Sequence, residues 1–233
     1  MKLARLNGGA EIFYSIQGEG KNSGTPSLFV RLALCNLACV WCDSDYTWNW
    51  KKFKKSEQVI EMSVPEIAVA IQKHRCKNIV LTGGEPLLQQ KELVGLMALL
   101  KNKNYFFEIE TNATLLPSKE LDGLVDQYNC SPKLKNSGNR MAKSLCKKTL
   151  EFFAKNPKAT FKFVMKRPED LKEMEKFVAT FKIPREKIYL MPEGKTSKTI
   201  REKEPWLVEI CKARGFHFTD RLHIHLYGDR RGV

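Results

Sequence analysis

Hydrophobic positions along the chain fall into short dense runs separated by longer stretches in which apolar and polar residues alternate with a helical period. Ser27 to Leu32, Asn78 to Thr82, Tyr105 to Glu110, Tyr128 to Ser131, Thr160 to Met165, Lys187 to Met191 and Leu222 to Leu226 predict strands. Several are too apolar for a sheet with one face in water, which favours parallel strands covered on both sides. Between them, Val64 to Arg75 reads as a helix. Ser63 supplies an N-cap, Glu66 follows three residues later, and Pro65 sits in the first turn. Pro86 to Lys101 and Lys198 to Ala213 carry apolar residues at spacings of three and four, and Ala142 to Ala154 and Glu169 to Thr180 complete the helical set.

Strands alternating with helices call for parallel pairing through right-handed crossovers, hence an α/β fold. Periodicity leaves open whether the sheet is doubly wound or forms a barrel, complete or partial. With no internal repeat, low-complexity segment or Pro/Gly/Ser-rich linker, residues 1–233 are expected to form one domain, and 195–204 to be a solvated loop and helix start.

Composition narrows the setting. Hydrophobic residues make up 42% and charged residues 28%, and no apolar run approaches the length needed to cross a bilayer. The N-terminal residues lack an apolar core followed by a cleavage site, so a cytoplasmic protein is expected. Net charge is +14, from 40 Lys and Arg against 26 Asp and Glu. The lysines are spread along the chain without interleaved aromatic residues, so direct nucleic-acid binding is not expected. An anionic substrate or an acidic electron donor would use the same field.

Seven cysteines cannot pair completely, and Cys35, Cys39 and Cys42 crowd into eight residues, which in a reducing compartment indicates a metal or redox site. Cys76, Cys130, Cys146 and Cys211 stand singly and are expected to be ordinary apolar or incidental thiols. Structural zinc wants a second ligand pair, and His74, His217, His223 and His225 fit no such spacing. An iron–sulfur cubane normally takes four thiolates. With three, one iron stays open to bind a small molecule.

Cys35-x3-Cys39-x2-Cys42, with Trp41 before the last cysteine, resembles the cluster loop of the radical S-adenosylmethionine enzymes. Thr82-Gly83-Gly84-Glu85-Pro86, Glu108-Ile109-Glu110-Thr111-Asn112 and Ser131-Pro132-Lys133 resemble that family's cofactor-binding strand ends. The resemblance implies a shortened, incomplete TIM-like barrel, a cluster loop at about 33–50, a [4Fe–4S] cluster on Cys35, Cys39 and Cys42, and S-adenosylmethionine as source of a 5′-deoxyadenosyl radical. It places the cofactor against Trp41, Cys42, Asp43, Gly84, Glu85, Glu110, Ser131, Pro132 and Lys133.

Ser15-Ile16-Gln17-Gly18-Glu19-Gly20, Arg31 and Cys42-Asp43-Ser44 further resemble the 7-carboxy-7-deazaguanine synthase family, which makes the deazapurine core of queuosine and related bases. That resemblance implies ring contraction of 6-carboxy-5,6,7,8-tetrahydropterin with loss of ammonia. Ile16, Gln17, Gly18, Glu19, Arg31, Thr82 and the carboxylate of Val233 would bind substrate, and Ser44, where many members have Thr, would bind Mg²⁺. A flavodoxin or ferredoxin as electron donor and a homodimer are implied too. Two other readings stay open: an activase that makes a glycyl radical on a partner protein, and a basic iron–sulfur protein that binds or modifies RNA.

Overall fold

The computed structural model describes residues 1–140 and 144–233. Eleven strands are described: β1 (Lys2–Leu6), β2 (Gly9–Ala10), β3 (Ile12–Ile16), β4 (Pro26–Leu32), β5 (Val59–Glu61), β6 (Asn78–Gly83), β7 (Phe106–Thr111), β8 (Gln127–Cys130), β9 (Ala159–Met165), β10 (Ile188–Pro192) and β11 (His217–Phe218). They form one sheet in the order β11-β10-β9-β8-β7-β6-β4-β1-β2, with β3 added to β4 and β5 to β1. From β4 to β11 every neighbouring pair is parallel. The N-terminal strands join antiparallel. The sheet does not close, which excludes the complete barrel, and its apolar core cluster lies on one face with polar pocket-lining side chains on the other, the layering of a partial barrel and not of a sheet wound on both faces.

Alternation along each strand sorts residues onto two faces, because successive side chains of a strand point opposite ways. Leu28, Val30, Ile79, Leu81, Phe107, Ile109, Tyr128, Phe161 and Phe163 enter one core cluster together with Ile67, Leu96, Phe153 and Phe177 of the helices. The intervening positions, Arg31, Thr82, Glu108, Glu110, Asn129, Thr160 and Lys162, occupy the opposite face. Register sets Arg31 beside Thr82, Glu110 beside Asn129, and Asn129 beside Thr160. Burial on both sides is as expected, but one side is buried by polar side chains that hydrogen-bond to one another.

The helix Val64–Gln72 has the predicted capping box. Ser63 Oγ accepts from the Glu66 N–H, and the Glu66 carboxylate accepts from the Ser63 N–H at 2.7 Å. Three predicted elements differ. Pro86–Gln89 is a 3₁₀ turn whose first free N–H, on Leu87, is capped by Glu85, and the α-helix begins only at Gln90 and runs to Leu100. The stretch 198–213 is two helices, Ser197–Arg201 and Glu204–Arg214, the second restarting with Pro205 in its first turn. Leu222 to Leu226, predicted as a strand, is a helix, Leu222–Tyr227. Its apolar alternation does not match a sheet position, because the two-residue β11 ends the sheet and the chain then turns back across the strand ends. The Leu222 N–H donates to Gly18 O at 3.0 Å. The helix expected from Ala142 starts outside the described residues, and its described part is Lys147–Lys155.

Candidate active site

The carboxyl ends of the parallel strands are where α/β folds gather functional groups. The loop leaving β4 carries the three cysteines. Leu34 has a left-handed backbone (φ 77°), held because its N–H donates to Thr47 O at 2.8 Å. All three thiols are free and partly buried, and each receives an N–H. Leu37 N donates to Cys35 Sγ (3.5 Å), Asn139 Nδ2 to Cys39 Sγ (3.1 Å) and Trp48 Nε1 to Cys42 Sγ (3.3 Å).

Burial pushes the Cys35 thiol up to about 12 and raises Cys42 as well, so thiolates here need compensating positive charge. A metal centre supplies that charge. Three thiolate donors from one loop leave a structural zinc one ligand short and suit an iron–sulfur cubane with one iron open. Among the described residues no fourth cysteine lines this pocket.

The GGEP turn closes against the cluster loop. A Cβ on Gly84 would lie 1.9 Å from Leu34 O, and one on Gly83 (φ +125°) 2.0 Å from Leu32 O. The glycines therefore serve a backbone-to-backbone approach within the protein. Glu85 is wholly buried and accepts from Leu87 N, Thr111 Oγ1 (2.8 Å) and Asn112 N (2.7 Å), which ties the end of β6 to that of β7. Asn112 Nδ2 in turn donates to Asn36 Oδ1 at 2.9 Å, binding the ETN segment to the cluster loop. Glu85 and Pro132 do not line the pocket, whereas Trp41, Cys42, Asp43, Gly84, Glu110, Ser131 and Lys133 do. Lys133 Nζ donates to Ser131 Oγ (2.8 Å) and lies 5.4 Å from the Trp41 ring centre.

Gln17, buried, donates from Nε2 to Glu108 and Glu110, and Glu110 also accepts from Thr82 Oγ1 at 2.6 Å. A Cβ on Gly18 would strike His223 Nδ1 at 2.2 Å, so only glycine lets the C-terminal helix approach. Glu19 accepts from Lys162 Nζ and from Arg221 Nε (2.9 Å), with His223 at 3.9 Å. Burial alone would raise the Glu19 carboxyl, but Lys162, Arg221 and His223 outweigh it and hold the group well below the usual range. Arg221 also donates to Asp43 and to Gly194 O, so one guanidinium braces the Gln17–Gly20 loop against the cluster loop.

Arg31 points its Nε at Glu11 (2.9 Å) and lies 5.7 Å from the Phe13 ring centre. Among the described residues its two terminal nitrogens have no hydrogen-bond partner, and the residue lines the pocket. Ser44 is buried, its hydroxyl 3.7 Å from Cys42 Sγ and free of oxygen partners among the described residues. Ile16, Thr82 and Val233 complete the walls.

The structure thus brings together every predicted site residue except Glu85 and Pro132. Sequence reading missed Lys162, Arg221, His223 and Glu11. Lys162 had a signal, a lone lysine inside the apolar run Thr160 to Met165. The others are paired across the whole chain length.

Three thiols and a GGEP turn at the carboxyl ends of an open parallel sheet define a radical SAM protein, and residues 30–133 match the model of the Radical SAM superfamily. The chain is 39% identical over 223 residues to a 7-carboxy-7-deazaguanine synthase of Pyrobaculum aerophilum, covering 95% of each chain. It is 34% identical over 236 residues to one of Rhodopirellula baltica, covering 96% of this chain and 88% of that protein. The crystal structure of QueE from Escherichia coli superposes with a TM-score of 0.68 at 25% identity, covering 96% and 95% of the two chains. The chain belongs to the 7-carboxy-7-deazaguanine synthase family of the radical SAM superfamily.

Proposed function

We propose that the chain converts 6-carboxy-5,6,7,8-tetrahydropterin to 7-carboxy-7-deazaguanine with release of ammonia, acting as a carbon–nitrogen lyase. The observation that carries this reading is the unpartnered edge of Arg31, which opens into the same pocket as the three cluster thiols. A guanidinium fork matches a carboxylate bidentately. Ile16, Gln17 and Gly18, on the pocket wall, would meet the pterin edge through their backbone. Glu19, kept ionised by Lys162 and Arg221, remains an acceptor for ring amino groups across the neutral pH range.

Cys35, Cys39 and Cys42 would hold the [4Fe–4S] cluster, with Gly84, Glu110, Ser131 and Lys133 around S-adenosylmethionine. When bound, this pair supplies the one-electron chemistry that removes hydrogen from C6 of the pterin. The protein's own part is to fix the ring beside the cluster, to exclude water and to hold the carboxylate. Ser44, whose hydroxyl on the pocket wall has only Cys42 Sγ as a side-chain partner among the described residues, suits a hard cation such as Mg²⁺ that keeps most of its waters. An acidic flavodoxin or ferredoxin in the cytoplasm, meeting a chain of net charge +14, would deliver electrons, and the working unit would be a homodimer.

Anaerobically reconstituted protein, given the carboxy-tetrahydropterin, S-adenosylmethionine and a reductant, is expected to form 7-carboxy-7-deazaguanine. S-adenosylmethionine cleavage with no such product overturns the proposal. Omitting Mg²⁺ from the same assay is expected to slow turnover, and Ser44→Ala to remove that dependence.

A further inference from the structure

The N-terminal strands and the segment after the helix Leu222–Tyr227 meet at one buried carboxylate. Glu11, just before β3, is 1% exposed. Its Oε1 accepts from Arg31 Nε (2.9 Å) and Tyr46 OH (3.0 Å), and its Oε2 accepts from Arg231 (2.8 Å). Arg231 also donates to Arg5 O (2.6 Å) and Gln58 Oε1 (3.1 Å), and its guanidinium carbon lies 3.5 Å from the Tyr46 ring centre. Two residues further on, Val233 lines the pocket that Arg31 enters.

Glu11 is shared by two guanidiniums, and Asp43, the other carboxylate near Arg31, is held by Arg221, while among the described residues Arg31 Nη1 and Nη2 have no hydrogen-bond partner of their own. Arg231 lines the pocket too, but its terminal nitrogens are taken by Gln58, Arg5 O and Glu11, so among the described residues the unpartnered edge of the pair is that of Arg31. A clasp that merely joined the chain ends would need neither this open edge nor Arg31.

Resting on the function proposed above, we infer that Arg231, acting through Glu11, is a positioning residue for the substrate carboxylate: it pins the C-terminal segment to the pocket wall and leaves the outer edge of Arg31 uncompensated for an anion. Without Arg231, Glu11 neutralises Arg31 alone and Val233 loses its anchor. Both changes weaken the hold on a carboxylate and hardly touch the rest of the ring.

Binding of 6-carboxypterin and of pterin, two fluorescent analogues that differ by the carboxylate, tests this on the full-length protein. Arg231→Gln is expected to weaken 6-carboxypterin about tenfold, the scale of one charge-assisted interaction, and pterin less than twofold. Arg231→Lys restores charge without the fork and is expected to recover part of the difference. If both ligands weaken alike, or neither does, the inference fails, and a matching melting temperature shows that the variant is folded. A wild type that does not prefer the carboxylated pterin sinks the inference together with the proposed function. A wild type that prefers it and makes product, beside an Arg231→Gln with unchanged preference, sinks the inference alone.

Discussion

Glu108 sits with no exposed surface among three amide donors, Gln17, Asn22 and Asn129. Burial, eased by those donors, pushes its carboxyl up to about 7. A group whose folded value is raised binds a proton more tightly in the native than in the unfolded state, so it lowers stability as pH rises from the unfolded value to the folded one. Relative to Glu108→Gln, the wild type is therefore expected to lose stability between about pH 4.5 and 7, by roughly 3 kcal/mol, read as unfolding midpoints in urea across that range. At the same scale, Cys39→Ala is expected to retain well under half of the roughly four irons per chain of the reconstituted protein, and full iron and sulfide content would refute the ligand assignment. The three cysteines and Arg31 were legible in the sequence because their meaning lies in residue type and local spacing. The roles of Lys162 and Arg221 were not, since the carboxylate they share, Glu19, is 143 and 202 positions away.

Among the elements, the turn after β6 has no room to spare. Gly84→Ala must move Leu34 and with it the start of the cluster loop, so it is expected to fold poorly or to load less than a tenth of the wild-type cluster. Gly123 is a contrast, because it lies in the helix Lys119–Leu124 and an added Cβ would meet nothing within 4 Å. Gly123→Ala is expected to raise stability by about 0.5–1 kcal/mol in a thermal melt and to leave cluster loading unchanged. The helix at Val64 was readable to the residue at its start, because its cap is a local hydrogen-bond pattern. The helix at Leu222 was misread, because alternating Leu, His and Ile fits a strand, and only the tertiary structure shows the chain leaving the sheet after β11 and turning back across the strand ends.

For the molecule as a whole, the net charge of +14 makes encounter with an acidic electron donor a long-range process. The second-order rate of cluster reduction by a flavodoxin is expected to fall several-fold as ionic strength rises from about 0.05 to 0.3 M, in stopped-flow absorbance, and a flat profile would argue against steering. The sequence by itself determined the parallel α/β class, the cluster loop and the strand ends that carry motifs, because each depends on short-range order: period, cap, or residues within one turn. Which polar residues share the inner face, which glycines admit a neighbouring backbone, and which cations Glu11 and Glu19 hold were decided only by the tertiary structure. Those partnerships follow from strand register and from the return of the C-terminal segment across the pocket, and neither leaves a mark in local sequence.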